Sequence, residues 1–130
     1  MEIKVCLTAE VKETVTSDNV AAAVGSGSLQ VFATPSMIAL MEKASCKALE
    51  GCLDDGATTV GTMVNIEHVA ATPLGMDVTV KSTVTEVDGR KISFVVEAFD
   101  EAGLIGKGTH DRFVVFAEKF MAKTNAKKVD

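Results

Sequence analysis

Apolar and polar residues alternate at the start of the chain, with Ile3, Val5, Leu7, Ala9 and Val11 set against Glu2, Lys4, Cys6, Thr8 and Glu10. A period of two predicts a strand with one covered face, because successive side chains point to opposite sides. Val24-Gly25-Ser26-Gly27-Ser28 has the composition of a flexible loop. Thr34-Pro35 reads as a helix start, with Thr as N-cap and Pro at the first helical position, where its missing N–H costs nothing. The spacing predicts a helix over about residues 35–50, stopped by Gly51. Met37, Ile38, Leu40, Met41, Ala44, Ala48 and Leu49 leave it a polar stripe of only Ser36, Lys43, Lys47 and Glu50. A helix apolar nearly all round is enclosed by protein.

Beyond Asp54-Asp55-Gly56 the pattern returns to strands. Thr and Val dominate 57–69, and Thr72-Pro73-Leu74-Gly75 reads as a turn. Residues 76–87 alternate Met76, Val78, Val80, Ser82 and Val84 with polar neighbours, and Asp88-Gly89 is a hairpin dipeptide. Strands over 91–100 and 104–118 complete the set, and the lysine-bearing tail from Lys119 is expected to fray. Short connections make the strands antiparallel neighbours. One long buried helix with such a sheet is an α+β architecture, in which the sheet curls round the helix. Its edge strands would be left unpaired, and pairing them across a two-fold axis predicts a dimer.

Size and charge narrow the function. A chain of 130 residues is expected to form one domain, and 47% hydrophobic residues exclude a disordered protein. A net charge of −5, with no Trp and no Tyr, argues against a nucleic-acid partner. Cys6, Cys46 and Cys52 are an odd number without CxxC spacing, which suits a reducing, cytoplasmic compartment and gives no metal site. The apolar runs are far short of the ~20 residues of a membrane span, and the first residues do not resemble a signal peptide.

Four residues carry candidate chemistry. Glu42 lies roughly 100° off the polar stripe of the helix, between Ile38, Cys46 and Leu49. A carboxylate there either reaches a rim to pair with a lysine or serves as a base in a semi-apolar pocket. His68 keeps phase with Val60, Thr62, Val64 and Ile66, as a satisfied core residue or as a proton carrier working with Glu42. Thr34, eight residues before Glu42, caps the helix or borders the same cleft. Gly61, inside a strand, marks a bulge or presents a bare backbone N–H to an oxyanion. Gly106-Lys107-Gly108 has no helix after it and is no phosphate loop. His110 and Arg112 share a face with Val114 and Phe116 and read as structural, satisfied by Asp or backbone partners.

Three stretches are similar to a known family. They are Val31-Phe32-Ala33-Thr34-Pro35-Ser36-Met37-Ile38-Ala39-Leu40-Met41-Glu42, Val64-Asn65-Ile66-Glu67-His68-Val69-Ala70-Ala71-Thr72-Pro73-Leu74-Gly75, and Gly106-Lys107-Gly108-Thr109-His110-Asp111-Arg112 followed by Glu118-Lys119-Phe120. Together they resemble the hotdog-fold thioesterases related to fluoroacetyl-CoA thioesterase, over residues 3 to 125. The resemblance implies a sheet wrapped round the helix, a homodimer, and acyl-CoA hydrolysis near the subunit interface. It places the catalytic roles on Thr34, Glu42 and His68, and the backbone oxyanion donor on Gly61. It calls for no metal and no cofactor apart from coenzyme A as part of the substrate. The lid phenylalanines of the fluoroacetyl-specific enzyme have no counterpart in Val24-Gly25-Ser26-Gly27-Ser28. The expected reaction is therefore hydrolysis of a short- or medium-chain acyl-CoA, with Glu42 attacking the carbonyl or activating water. The alternatives are a non-catalytic module that binds acyl-CoA or another apolar ligand, and a hotdog dehydratase, whose motif is missing.

Overall fold

A computed structural model describes residues 2–128. The elements are β1 (Thr8–Thr14), α1 (Ala21–Val24), α2 (Thr34–Ala48), β2 (Ala57–His68), β3 (Asp77–Asp88), β4 (Lys91–Asp100), β5 (Gly103–Phe116) and α3 (Ala117–Asn125). The strands form one antiparallel five-stranded sheet in the order β1-β3-β4-β5-β2. The fold is α+β, with α2 packed against the sheet's inner face.

The inner face follows from the alternation. Val78, Val80, Ser82 and Val84 of β3 and Ile92, Phe94, Val96 and Ala98 of β4 are all fully buried. They meet Met37, Leu40, Met41, Ala44 and Ala48 on one face of α2, while Ala39, Lys43, Cys46 and Lys47 on the other side are exposed, so the helix is covered on one side rather than enclosed as its apolar composition suggests. Ser45 interrupts that apolar surface. Its hydroxyl donates to the Met41 carbonyl at 2.9 Å and pairs with Ser82 Oγ at 2.7 Å, so a buried polar contact sets the position of helix on strand.

Two glycines of β5 let other elements approach. A Cβ at Gly106 would stand 2.5 Å from Met37 Sδ, so the bare backbone makes room for the helix. A Cβ at Gly108 would collide with the Asn65 carbonyl of β2. Both positions serve packing, as a Gly within a strand commonly does.

Several boundaries depart from the sequence expectation. The first alternating residues do not pair: Cys6 has φ 76° and a turn precedes β1, which runs on to Thr14. Its amide nonetheless donates to the Val84 carbonyl at 2.8 Å. The tail expected to fray forms α3, although none of its residues is buried. Ala33, not Thr34, is the N-cap of α2, leaving Thr34 inside the first turn with its hydroxyl free for another partner. Among the described residues no helix is long and apolar enough to cross a membrane.

Candidate active site

One strand irregularity and one helix position the candidate side chains. Along β2 the pairing with β5 shifts between Gly61 and Met63, a bulge centred on Thr62. Gly61 pairs with the buried Arg112, Val64 with the buried His110, and His68 with the buried Gly106. Directly opposed residues share a face, so Gly61, Val64, Ile66 and His68 look inward. The expected phase of His68 with Val60 and Thr62 is therefore broken by the extra residue.

The first group lies at the start of α2. Thr34 Oγ1 and His68 Nδ1 are 2.7 Å apart. They line a cavity of about 420 Å³ with apolar walls that include Leu29, Val31, Phe32, Val69 and Ala71. The imidazole is half-buried, and its Nε2 is sealed from solvent without a hydrogen-bond partner among the described residues. Desolvation holds the His68 pKa below its ordinary 6.5, opposed in part by the Ala70 backbone.

The second group lies two turns further along the helix. Arg112, only 6% exposed, donates from Nη1 to Glu42 Oε2 at 3.0 Å. It is fixed by three further contacts: Nε to Thr59 Oγ1 at 2.8 Å, Nη2 to the Thr59 carbonyl at 3.0 Å, and Nη1 to His110 Nε2 at 3.3 Å. The glycine opposite is essential to this arrangement. A Cβ on Gly61 would lie 2.6 Å from Glu42 Oε2 and 3.3 Å from both Arg112 Nη1 and His110 Cε1. A smaller cavity of about 250 Å³ opens here, lined by Glu42, Gly61, Thr62, Met63, Val64 and His110.

The structure thus brings Thr34 to His68 and Glu42 to Gly61, but a single chain keeps the two pairs in separate cavities. Gly61 and His68 stand seven residues apart on one strand, roughly 20 Å at the rise of an extended chain. The carboxylate is paired with Arg112 and not with a lysine. His110 and Arg112 do find the expected backbone partners, the Met63 and Thr59 carbonyls, and the acidic partner of Arg112 is Glu42 and not an Asp. The signal was available: a guanidinium on the inner face of a strand demands acceptors for its donors, and Glu42, whose side chain stays 41% exposed, was the carboxylate off the polar stripe.

Against this geometry, the chain matches the family model described as "FlK: Fluoroacetyl-CoA-specific thioesterase" over residues 15–118. It belongs to this family of thioesterases. The curated fluoroacetyl-CoA thioesterase of Streptantibioticus cattleyicolor is 44% identical over 98 residues, which is 75% of this chain and 70% of that protein. A crystal structure of a point mutant of FlK superposes with a TM-score of 0.92 at 34% identity, covering 98% of this chain and 99% of that one. A thioesterase superfamily member from Thermus thermophilus superposes with a TM-score of 0.88 at 28% identity, over 96% of this chain and 93% of the other. The solved relatives include an FlK point mutant in complex with fluoroacetate and CoA.

Proposed function

We propose that this protein is a cytoplasmic, homodimeric, single-domain hydrolase that cleaves a short- or medium-chain acyl-CoA to the free acid and coenzyme A. Family membership supports the reaction class. The observation that carries the assignment within the chain is the hydroxyl–imidazole pair of Thr34 and His68 at 2.7 Å beside an apolar cavity. That is the spacing of a nucleophile and its base. Thr34 Oγ attacks the thioester carbonyl while its proton passes to His68, which then protonates the departing CoA sulfur. Water then attacks the acyl-threonine carbonyl, its proton taken up by Glu42, a base held on Arg112 through one oxygen; as the C–O bond to Thr34 breaks, that proton passes to Thr34 Oγ, which releases the free acid and restores both residues. The Gly61 backbone faces the same carboxylate and serves as oxyanion donor. No metal or further cofactor takes part.

For these groups to act on one substrate, the two cavities must meet, and a second copy of the chain is the means. Strand β2 is an edge of the sheet, and Gly61–Asn65 in its middle are all exposed, with Met63 at 39% and Val64 at 47%. An exposed apolar edge invites pairing. Antiparallel pairing about a two-fold axis near that stretch would lay the His68 end of one β2 beside Gly61 of the other. Thr34 and His68 of one protomer would then face Glu42 and Gly61 of its partner. Two exposed free cysteines, Cys6 and Cys46, suit the reducing compartment assumed.

Thiol release from a panel of acyl-CoA esters tests the reading. Wild type should turn over, while Thr34→Val, His68→Ala and Glu42→Gln should each lose about a hundredfold or more in kcat, the scale of a lost proton-transfer group. Saturable ester binding without thiol release would leave the non-catalytic module as the answer.

A further inference from the structure

His110 takes no part in the reaction drawn above, yet it is a titratable ring only 1% exposed. Its hydrogen bonds define its state. Nδ1 lies 2.8 Å from the Met63 carbonyl, which can only accept, so Nδ1 carries the proton. Nε2 lies 3.3 Å from Arg112 Nη1, which can only donate, so Nε2 presents its lone pair. The ring stacks on Phe94 of β4, with centroids 6.0 Å apart and 27° between planes, and cannot swing away. One Nη1 of Arg112 therefore serves two acceptors, Glu42 Oε2 on one side and His110 Nε2 on the other.

Met63 is the residue after the bulge, so His110 ties the β2 backbone at the bulge to the guanidinium that holds the carboxylate. We propose that His110 is a positioning residue: its Nε2 fixes the Arg112 Nη1 that aims Glu42 over Gly61. The inference rests on the role given to Glu42 above. Without the Nε2 acceptor, Nη1 loses one of its two anchors. Glu42 then gains a range of positions in a cradle where Gly61 leaves it room. A misplacement of about 1 Å at a reacting group can cost on the order of a hundredfold in rate.

The test compares wild type, Glu42→Gln, His110→Phe, His110→Gln and the double variant Glu42→Gln/His110→Phe in the thiol-release assay. His110→Phe keeps the ring stack and removes both hydrogen bonds. It should lower kcat tenfold to a hundredfold with KM little changed, up to the scale of a ~1 Å misplacement of a reacting group. His110→Gln, whose amide oxygen can reach Arg112, should regain part of the loss. In the Glu42→Gln background, His110→Phe should cost nothing further. Wild-type kcat in His110→Phe, or a double-variant loss equal to the product of the single losses, would overturn the proposal. If His110→Phe does not fold, His110→Asn replaces it, since Asn can serve Met63 but is too short for Arg112.

If Glu42→Gln keeps wild-type kcat, the role of Glu42 falls. His110 is then judged on the ¹⁵N resonances of the Arg112 side chain. Slowly exchanging signals in wild type that average in His110→Phe would support its hold on Arg112. Signals unchanged by the substitution would refute it.

Discussion

At the scale of single residues, His68 is the group whose environment makes the sharpest demand. Burial holds its folded pKa below the ordinary 6.5. A base kept neutral this way is ready to accept a proton at neutral pH. The same shift has a consequence for stability. Between 6.5 and the lower folded value, the unfolded chain binds more protons than the folded one. The contribution of His68 is therefore complete above 6.5 and is lost as pH falls from 6.5 through the folded value. Urea unfolding at pH 7.5 and pH 5 should show a larger acid loss for wild type than for His68→Gln. Equal losses in the two proteins would mean that the ring is not desolvated as described.

Thr34 illustrates how a hydroxyl is left free of helix capping. The helix begins on Ala33, so the threonine hydroxyl is not spent on capping and reaches His68. Sequence alone favoured the capping role because Thr is a good N-cap, and nothing local distinguishes N-cap from the next position. Arg112 and Glu42 are 70 residues apart in sequence, and only the packing of α2 against the sheet makes them a pair.

At the scale of elements, the pattern of apolar positions was the most informative feature. Strand β4 begins and ends where its alternation does, and the long helix ends two residues before the expected limit. Thr-Val runs and turn dipeptides also placed β2 and β3 within a residue or so at each end. The bulge at Thr62 was illegible in detail, because an extra strand residue leaves no mark on composition beyond the neighbouring Gly61. Helix α3 was missed because it is short, at Ala117–Asn125, and buries none of its residues.

The second glycine of Gly106-Lys107-Gly108 gives the element-scale prediction. A methyl at Gly108 would meet the backbone of Asn65 and Ile66, neither of which can rotate away as a side chain could. Gly108→Ala should push β2 off β5 and destabilise the fold by about 1–3 kcal/mol or more, the usual cost of overpacking. Chemical denaturation would measure it. Unaltered stability would show that the two strands are not held this closely. Because β2 carries both Gly61 and His68, activity should fall with stability.

At the scale of the whole molecule, the unresolved tension within one chain is spatial: the hydroxyl–imidazole pair and the carboxylate sit in different cavities. Their separation along β2 follows from strand geometry and cannot be closed by side-chain rotation. The proposed two-fold axis near the exposed middle of β2 would remove the separation and cover the apolar edge. Dimer formation would then be part of the chemistry and not only of stability. Each dimer would have two equivalent sites, every one drawing on both chains.

Subunit mixing therefore tests the central claim most directly. His68→Ala and Glu42→Gln homodimers, each inactive, are unfolded, combined in equal amounts and refolded together. If each site takes His68 from one protomer and Glu42 from the other, a mixed dimer contains one site with both mutations and one with neither. Half of the dimers are mixed, so thiol release should return to about one quarter of the wild-type rate. Activity that stays at the level of the two parent variants, with mixed dimers demonstrably present, would place both residues of each site in the same chain and contradict the shared site.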